Sequence, residues 1–340
     1  MNSNRKIVVL TPVKNEAWIL HRFLRVTSIF ADAILIADQQ SIDGSLEIYP
    51  HYPKVTLINN ENTNFNEAER QLLLLNKARE LYGTNTILLA IDADEILAAN
   101  AMQTENWENM VNGKPGTVLY FEKPSFYKNT SKVIRFNGGG WPLGYIDDGA
   151  EHEPSEIHSV RIPNPENAST LYLNEIKFLH YNTTRLSAFK SKLRFYSILE
   201  NIKNSRNLRR RLRMYNSEID ILEIGDYIES TPKEWLKKWE ENGIEMHLTP
   251  EEDYYWYDYE ALKLLLHYGP RRFLLDDIWN FDWETFRQTT SQPELGDFSK
   301  EEIKRPFFPF SKLLQMSIKS LDRTWQLTKR FNKFSFKTNH

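Results

Sequence analysis

The sequence predicts an α/β fold: an open, mostly parallel sheet flanked by helices, followed by a mainly helical C-terminal region. Three observations carry this. Short runs of β-branched and aliphatic residues recur at 6–11, 33–37, 55–58 and 86–91. Stretches with apolar residues at three- and four-residue spacing separate them, as helices require. From Arg185 onward, helical patterning takes over. Strands alternating with helices imply parallel βαβ units and a sheet covered on both faces.

The elements follow in order. Lys6–Thr11 is a strand ended by Pro12, and Asn15 is placed to cap a helix through Phe30, whose Trp18, Ile19, Phe23, Val26 and Phe30 share one face. Ala33–Ala37 is a second strand ending at Asp38. A polar turn then leads to a short helix near Ser45–Tyr49. Val55–Ile58 is the third strand, Asn66–Tyr82 a long helix, and Thr86–Ile91 the fourth strand, running directly into Asp92-Ala93-Asp94-Glu95. Thr117–Lys123, Lys132–Asn137 and Ile176–Leu179 read as further strands. Gly138–Gly144 reads as a flexible loop carrying Trp141.

In sheets of this kind ligands bind beyond the carboxyl ends of the strands. Every one of the first four strands ends in polar side chains: Lys14, Asn15 and Glu16, then Asp38, then Asn59 and Asn60, then Asp92 and Asp94. Turn formation alone does not call for carboxylates there. Two carboxylates at the end of a buried strand suit a hard divalent cation, Mn²⁺ or Mg²⁺, held against phosphate oxygens. Neither a Gly-x-Gly-x-x-Gly nor a Gly-x-x-x-x-Gly-Lys-Ser/Thr loop follows the first strand, so side chains and a metal must hold any nucleotide.

Composition narrows the field. The 340 residues, 41% hydrophobic and 26% charged, can bury a sizeable core, and the net charge of -3 gives no support to nucleic-acid binding. With no cysteine there is no disulfide, thiol chemistry or Cys-based zinc site. No apolar leader precedes the first strand and no apolar run nears the roughly 20 residues of a membrane span, so a cytoplasmic setting is expected.

The N-terminal motifs resemble the family 2 glycosyltransferases of the GT-A fold. Val9-Leu-Thr-Pro-Val-Lys-Asn-Glu16 is similar to their opening strand and loop. Ile36-Ala-Asp38 with Ser41-Ile-Asp-Gly-Ser45 is similar to their Asp…Ser-x-Asp-Gly-Ser/Thr segment. Phe65-Asn-Glu-Ala-Glu-Arg70 occupies the place of a helix start that delivers Arg toward the nucleotide, and Ile91-Asp-Ala-Asp-Glu95 is similar to their metal motif. The match is close over residues 5–97 and looser to about 200. It implies Asp94 as a metal ligand, Asp92 at the ribose or a metal-bound water, and Asp38 accepting from a uracil-like base. It also implies Glu16 near ribose or base, and Thr11, Val13 and Ala93 lining the same nucleotide-sugar site. Arg70 is a phosphate contact or a solvated helix charge. His180 ends a strand-like segment and is either a further metal ligand, as in many relatives, or a core histidine, with His158 the alternative for the ligand role.

The middle of the chain is expected to serve the acceptor. Trp141 offers a ring for a sugar, or is simply packed in its loop. Residues 147–158 carry seven ionisable groups, and a carboxylate must take the acceptor's proton during inversion. Among Asp147, Asp148, Glu151, Glu153 and Glu156 the sequence does not choose between base and solvated loop charge; Asp148 and Glu151, flanking a Gly turn, are slightly preferred as the base. Two parts are expected: a catalytic domain at 1–185 and a mainly helical region at 186–340.

Four Arg at 209, 210, 211 and 213 form a basic helix that either meets phosphate or lipid or is merely solvated. Residues 232–290 are rich in Trp and Tyr. Between 300 and 340 lie ten Lys/Arg against three acids, which suits peripheral contact with an anionic membrane, a partner surface or a tail. The reading is a metal-dependent transferase acting from a nucleoside-diphosphate sugar, UDP-type favoured, onto a glycan or lipid-linked acceptor. A sugar-phosphate nucleotidyltransferase, or a glycan-binding protein derived from a transferase, is the alternative.

Overall fold

The computed structural model describes residues 5–60, 66–135, 140–156, 158–203, 207–215, 228–289, 303–307 and 310–321. Two compact units emerge, one from residues 1–185 with 224–250, the other from 186–223 with 251–340.

The first unit is built on an 11-stranded sheet. Its parallel block comprises β1 (Ile7–Val13), β2 (Ala33–Asp38), β3 (Val55–Asn59) and β4 (Ile87–Ala90), in the order β3-β2-β1-β4. Between them run α1 (Ala17–Phe30), the short α2 (Ser45–Ile48) and α3 (Glu67–Tyr82). All six residues of β2 are buried, as expected of a parallel strand covered on both faces. Alternation divides the core. Val8, Leu10, Leu35, Ala37 and Leu88 pack with Leu74, Leu75 and Ala78 of α3, whereas Val9, Ile34, Ile36 and Leu89 pack with Leu20, Phe23 and Leu24 of α1. Each of the Val, Leu, Ile and Phe side chains among them contributes roughly 1.5–3 kcal/mol by leaving water.

Local chemistry fixes the helix starts. Asn66 accepts the Glu69 N–H and donates to its carboxylate, and Glu67 and Glu69 suit the positive end of α3. The start of α1 is held from a distance. Ser41 Oγ, Ser45 Oγ and Asp43 Oδ2 accept the successive backbone N–H groups of Asn15, Glu16 and Ala17. Gly44 stands between them at φ 96°, where a side chain would be strained. The Ser-x-Asp-Gly-Ser segment therefore caps the helix that follows β1.

Beyond β4 the sheet continues through β5 (Glu95–Leu97), β6 (Thr117–Glu122), β7 (Ser125–Tyr127), β8 (Asn129–Ile134), β9 (Trp141–Ile146), β10 (Ser169–His180) and β11 (Ile228–Ser230), with α4 (Glu105–Val111) between β5 and β6. Its order is β11-β8-β7-β10-β6-β9-β4, with β5 pairing β10. Here the structure departs from the sequence reading. The glycine-rich stretch is, from Trp141, a strand antiparallel to both β4 and β6; Gly138 and Gly139 lie outside the described residues. Gly144 sits between neighbours so close that an added Cβ would lie 2.8 Å from Leu89 Cδ2. The glycine serves strand packing. Residues of 228–250 also return to this unit, which a single cut at 185/186 does not provide for. Trp235, Trp239, Ile244 and Met246 are buried there, and Trp239 Nε1 donates to the Leu97 carbonyl at 2.7 Å.

The second unit holds α5 (Leu186–Lys203), α6 (Leu208–Met214), α8 (Trp256–Tyr268), α9 (Trp283–Thr289) and a helix over 311–321; the short α7 (Lys237–Glu241) belongs to the first unit. Trp283 and Phe286 are buried in an aromatic cluster with Tyr254, Tyr259 and Phe281, so much of this aromatic richness is packing. Of the basic run, Arg211 is buried and paired with Asp276 at 2.8 Å.

Candidate active site

The carboxyl ends of the parallel strands form one rim. Val13 is in register with Asp38, and Asp38 with Asn59, while Leu10 pairs Ala90 just before the Asp92 loop. Strand β6 points the same way, because β9 runs antiparallel to both β4 and β6. Lys123 and Trp141 therefore join this rim.

Three carboxylates lie in the loop after β4, and the structure gives them different work. Glu95 is fully buried. Its Oε1 accepts from Lys123 Nζ at 2.9 Å and Arg161 Nη2 at 3.2 Å, and its Oε2 from Arg161 Nη1 at 2.7 Å and the Asp92 N–H at 2.9 Å. Four donors fill the positions a carboxylate offers. Burial pushes the Glu95 carboxyl up, but Arg161 and Lys123, then His180, outweigh it and hold it well below its ordinary value. Burial likewise lowers the Arg161 guanidinium, yet Asp92 and Glu95 raise it overall.

Asp92 forms an ion pair with Arg161 Nη2. Asp94 faces His180, with Oδ2 3.3 Å from Nε2. His180 is positioned by the ladder that pairs it with Glu95 and by its N–H donating to the Pro124 carbonyl. One ligand atom from each of Asp94, Glu95 and His180 lies within 4.8 Å of the others. Two ligands at right angles on a small divalent ion sit about 3 Å apart, given bonds of about 2.1 Å, so Asp94 and His180 fit such an ion. Glu95, saturated by donors, fits the role of anchor instead.

The other expected residues sort as follows. Asp38 is buried, its Oδ1 accepting the Ser41 N–H at 2.7 Å and its Oδ2 the Tyr49 hydroxyl at 2.6 Å. Burial first, then the Asp38 hydrogen bond, pushes the Tyr49 phenol far above its ordinary value. Glu16 Oε2 accepts from Trp18 Nε1 at 2.7 Å, and the Arg185 guanidinium lies 4.4 Å over that indole. Arg70 Nη1 donates to Gln39 Oε1, directly after Asp38. Thr11, Val13 and Ala93 are buried, and Thr11 Oγ1 finds no hydrogen-bond partner among the described residues. Trp141 is 46% exposed, with Lys123 Nζ 4.5 Å over its ring.

Asp148 requires a correction. Strand β9 runs against β4, pairing Ile146 with Ile87, so Asp148 emerges at the amino ends of the parallel strands. With about 3.3 Å per residue, the length of β4 puts it roughly 15 Å from Asp94. There it accepts from Tyr145 at 2.5 Å, a bond that holds its carboxyl below the ordinary value. Glu151 is exposed beside α3 and is not brought to Asp94 either.

What the acidic segment delivers is an arginine. From Asp147, paired with Arg79 at 2.7 Å, the chain climbs along α3. His152 meets Gln71, the Glu156 carbonyl accepts the Glu67 N–H, and Ser159 N–H reaches Glu67. This strap ends with Arg161 between Asp92 and Glu95. Arg161, Lys123 and the anchoring role of Glu95 were not singled out in the sequence. Their one cue is an Arg set before Ile162 and Pro163 at the end of the acidic run.

No family model matches the chain, and no curated protein does. Solved structures do. Staphylococcus aureus TarS (residues 1–349) is similar at TM-score 0.38 and 14% identity, over 84% of this chain and 92% of that one. GalNAc-T7, solved with UDP, GalNAc and Mn²⁺, is similar at 0.33 and 14%, over 66% and 54%. A 4-diphosphocytidyl-2C-methyl-D-erythritol synthase is similar at 0.27 and 14%, over 43% and 70%. The strand order β3-β2-β1-β4 with helices on both faces is that of an open, doubly wound α/β sheet.

Proposed function

We propose that this chain is a metal-dependent glycosyltransferase that moves a sugar from a nucleoside diphosphate, UDP-type favoured, onto a glycan or lipid-linked acceptor. One observation carries the reading: Asp94 and His180 stand 3.3 Å apart at the carboxyl rim of a parallel sheet, beside an Asp92 held by Arg161. Mn²⁺ or Mg²⁺ bound by Asp94 and His180 would supply positive charge for the leaving diphosphate. Asp92, oriented by Arg161, is placed for the ribose or a metal-bound water. Asp38, Glu16 and Arg70 lie along the same rim, where base, ribose and phosphate would extend. Trp141, half-exposed on the far side of the rim, offers a ring to the sugar. The resemblance to family 2 enzymes supports inversion. A lipid-linked acceptor places the enzyme at a membrane surface, which suits the basic C-terminal stretch.

The test is thermal shift with a panel of nucleoside diphosphates, with and without Mn²⁺, followed by donor-sugar hydrolysis. UDP with Mn²⁺ should stabilise the protein, and Asp94→Asn or His180→Ala should weaken the Mn²⁺-dependent part roughly tenfold or more. A protein that no nucleoside diphosphate stabilises, or an Asp94→Asn variant with intact Mn²⁺ dependence, ends the proposal.

A further inference from the structure

The helix over 311–321 is amphipathic in the wrong sense for a globular surface. Ser311, Gln315 and Lys319, spaced four apart, face the body of their unit. Ser311 and Gln315 are buried. Gln315 Nε2 donates to the carbonyls of Leu275 and Asp276 at 2.9 and 3.2 Å, and its Oε1 accepts from Arg305 at 2.9 Å. Lys319 Nζ pairs with Asp277 at 3.0 Å. These bonds fix the rotation of the helix about its axis.

The opposite face exposes four large apolar side chains around Ser317 and Ser320. Leu313 is 60% exposed, Leu314 42%, Met316 66% and Leu321 70%, and Phe307, just upstream, is 93% exposed. Leu314 and Leu321 are seven residues apart, two turns along one line, with Leu313 beside them. Burial of the polar side reverses the usual packing pattern, and Gln315 and Lys319 both find partners there. The arrangement holds the leucines outward.

We infer that this face is a docking element for an anionic lipid surface, where Leu313, Leu314, Met316 and Leu321 enter the headgroup–acyl boundary. Charge names the occupant. Residues 300–340 carry ten Lys/Arg against three acids, and those of 322–340, outside the described residues, include Arg323, Lys329, Arg330, Lys333 and Lys337 interleaved with Trp325, Phe331, Phe334 and Phe336. An apolar helix face with a basic, aromatic flank is the chemistry of interfacial binding, and basic residues strengthen attraction to an anionic leaflet. No helix among the described residues is long and apolar enough to cross a membrane, so the contact lies in the interface plane. The inference stands independently of sugar transfer.

Co-sedimentation of the full chain with phosphatidylcholine vesicles, with and without phosphatidylglycerol, tests it. Binding should require the anionic lipid and weaken with salt. Leu314→Asp/Leu321→Asp should reduce it roughly tenfold or more with an unchanged melting temperature, since both side chains are solvent-exposed. Lys329→Gln/Arg330→Gln/Lys333→Gln should reduce it as well. Absence of vesicle binding overturns the inference, as does full binding by the double Leu variant. An oligomer in solution that the double Leu variant dissolves also overturns it, since a second copy then covers the face.

Discussion

Arg161→Gln is the most informative single substitution in this protein. Arg161 donates to the Ala90 carbonyl at 3.3 Å and to both oxygens of Glu95 at 2.7 and 3.2 Å, and pairs with Asp92. Gln leaves Glu95, fully buried, with Lys123 as its remaining cation. Removing one partner of a buried ion pair costs about 3–5 kcal/mol; with Lys123 still present and the Arg161 side chain 23% exposed, about 3 kcal/mol is expected. For a unit of roughly 200 residues that is a fall in Tm of about 6–12 °C. Glu95→Gln should cost at least as much, by leaving two cations without their shared anion. The double variant should cost less than the sum by about 1.5 kcal/mol or more. Thermal denaturation of the three variants measures the cycle. If Arg161→Gln melts within about 1 °C of the parent, or the two substitutions add, the anchor described here does not exist.

Two further outcomes follow from other contacts. His152 sits against Gln71 in the strap, and burial first, then Arg79, lowers its pKa from 6.5 to about 4. The unfolded chain therefore binds a proton that the folded one refuses, and stability present above pH 6.5 is lost as pH falls toward about 4; melting curves across this window should be flatter for His152→Gln. Asp43 Oδ2 accepts the Ala17 N–H at 2.8 Å while Oδ1 accepts from the Ser45 hydroxyl at 2.7 Å. Asp43→Ala should cost about 1–2 kcal/mol by uncapping α1, with Asp43→Asn in between, read by thermal denaturation; an unchanged Tm would contradict the capping role.

The parallel half of the sheet was legible because strands covered on both faces must be continuous apolar runs, and β1, β2 and β4 are. Strand β9 was not, since its glycine reads as loop punctuation until the close approach of Leu89 and Leu119 is known. That one misreading moved Asp148. A loop after an unrecognised antiparallel strand emerges at the opposite edge of the sheet, and no local property of Asp148 says which edge that is. Arg161 was hidden for a related reason. Its partners lie 66 and 69 residues away, and only the climb of the strap along α3 brings them together.

The division of labour among the three acids follows from burial more than from spacing. A carboxylate with no exposure must be neutralised by the fold, so Glu95 takes Lys123 and Arg161 and has no lone pair left for an ion. Asp92 has 31% of its side chain exposed and shares Arg161, which aims it without removing it from solvent. Asp94 lies opposite His180, a nitrogen ligand at the rim, and that pairing singles it out among the three. The three acids therefore have different surroundings: Asp94 faces His180, Asp92 pairs with Arg161 and, one residue on, Glu95 is a buried anchor. On this reading Asp92→Asn should retain more Mn²⁺-dependent stabilisation than Asp94→Asn, because it leaves both metal-facing groups in place.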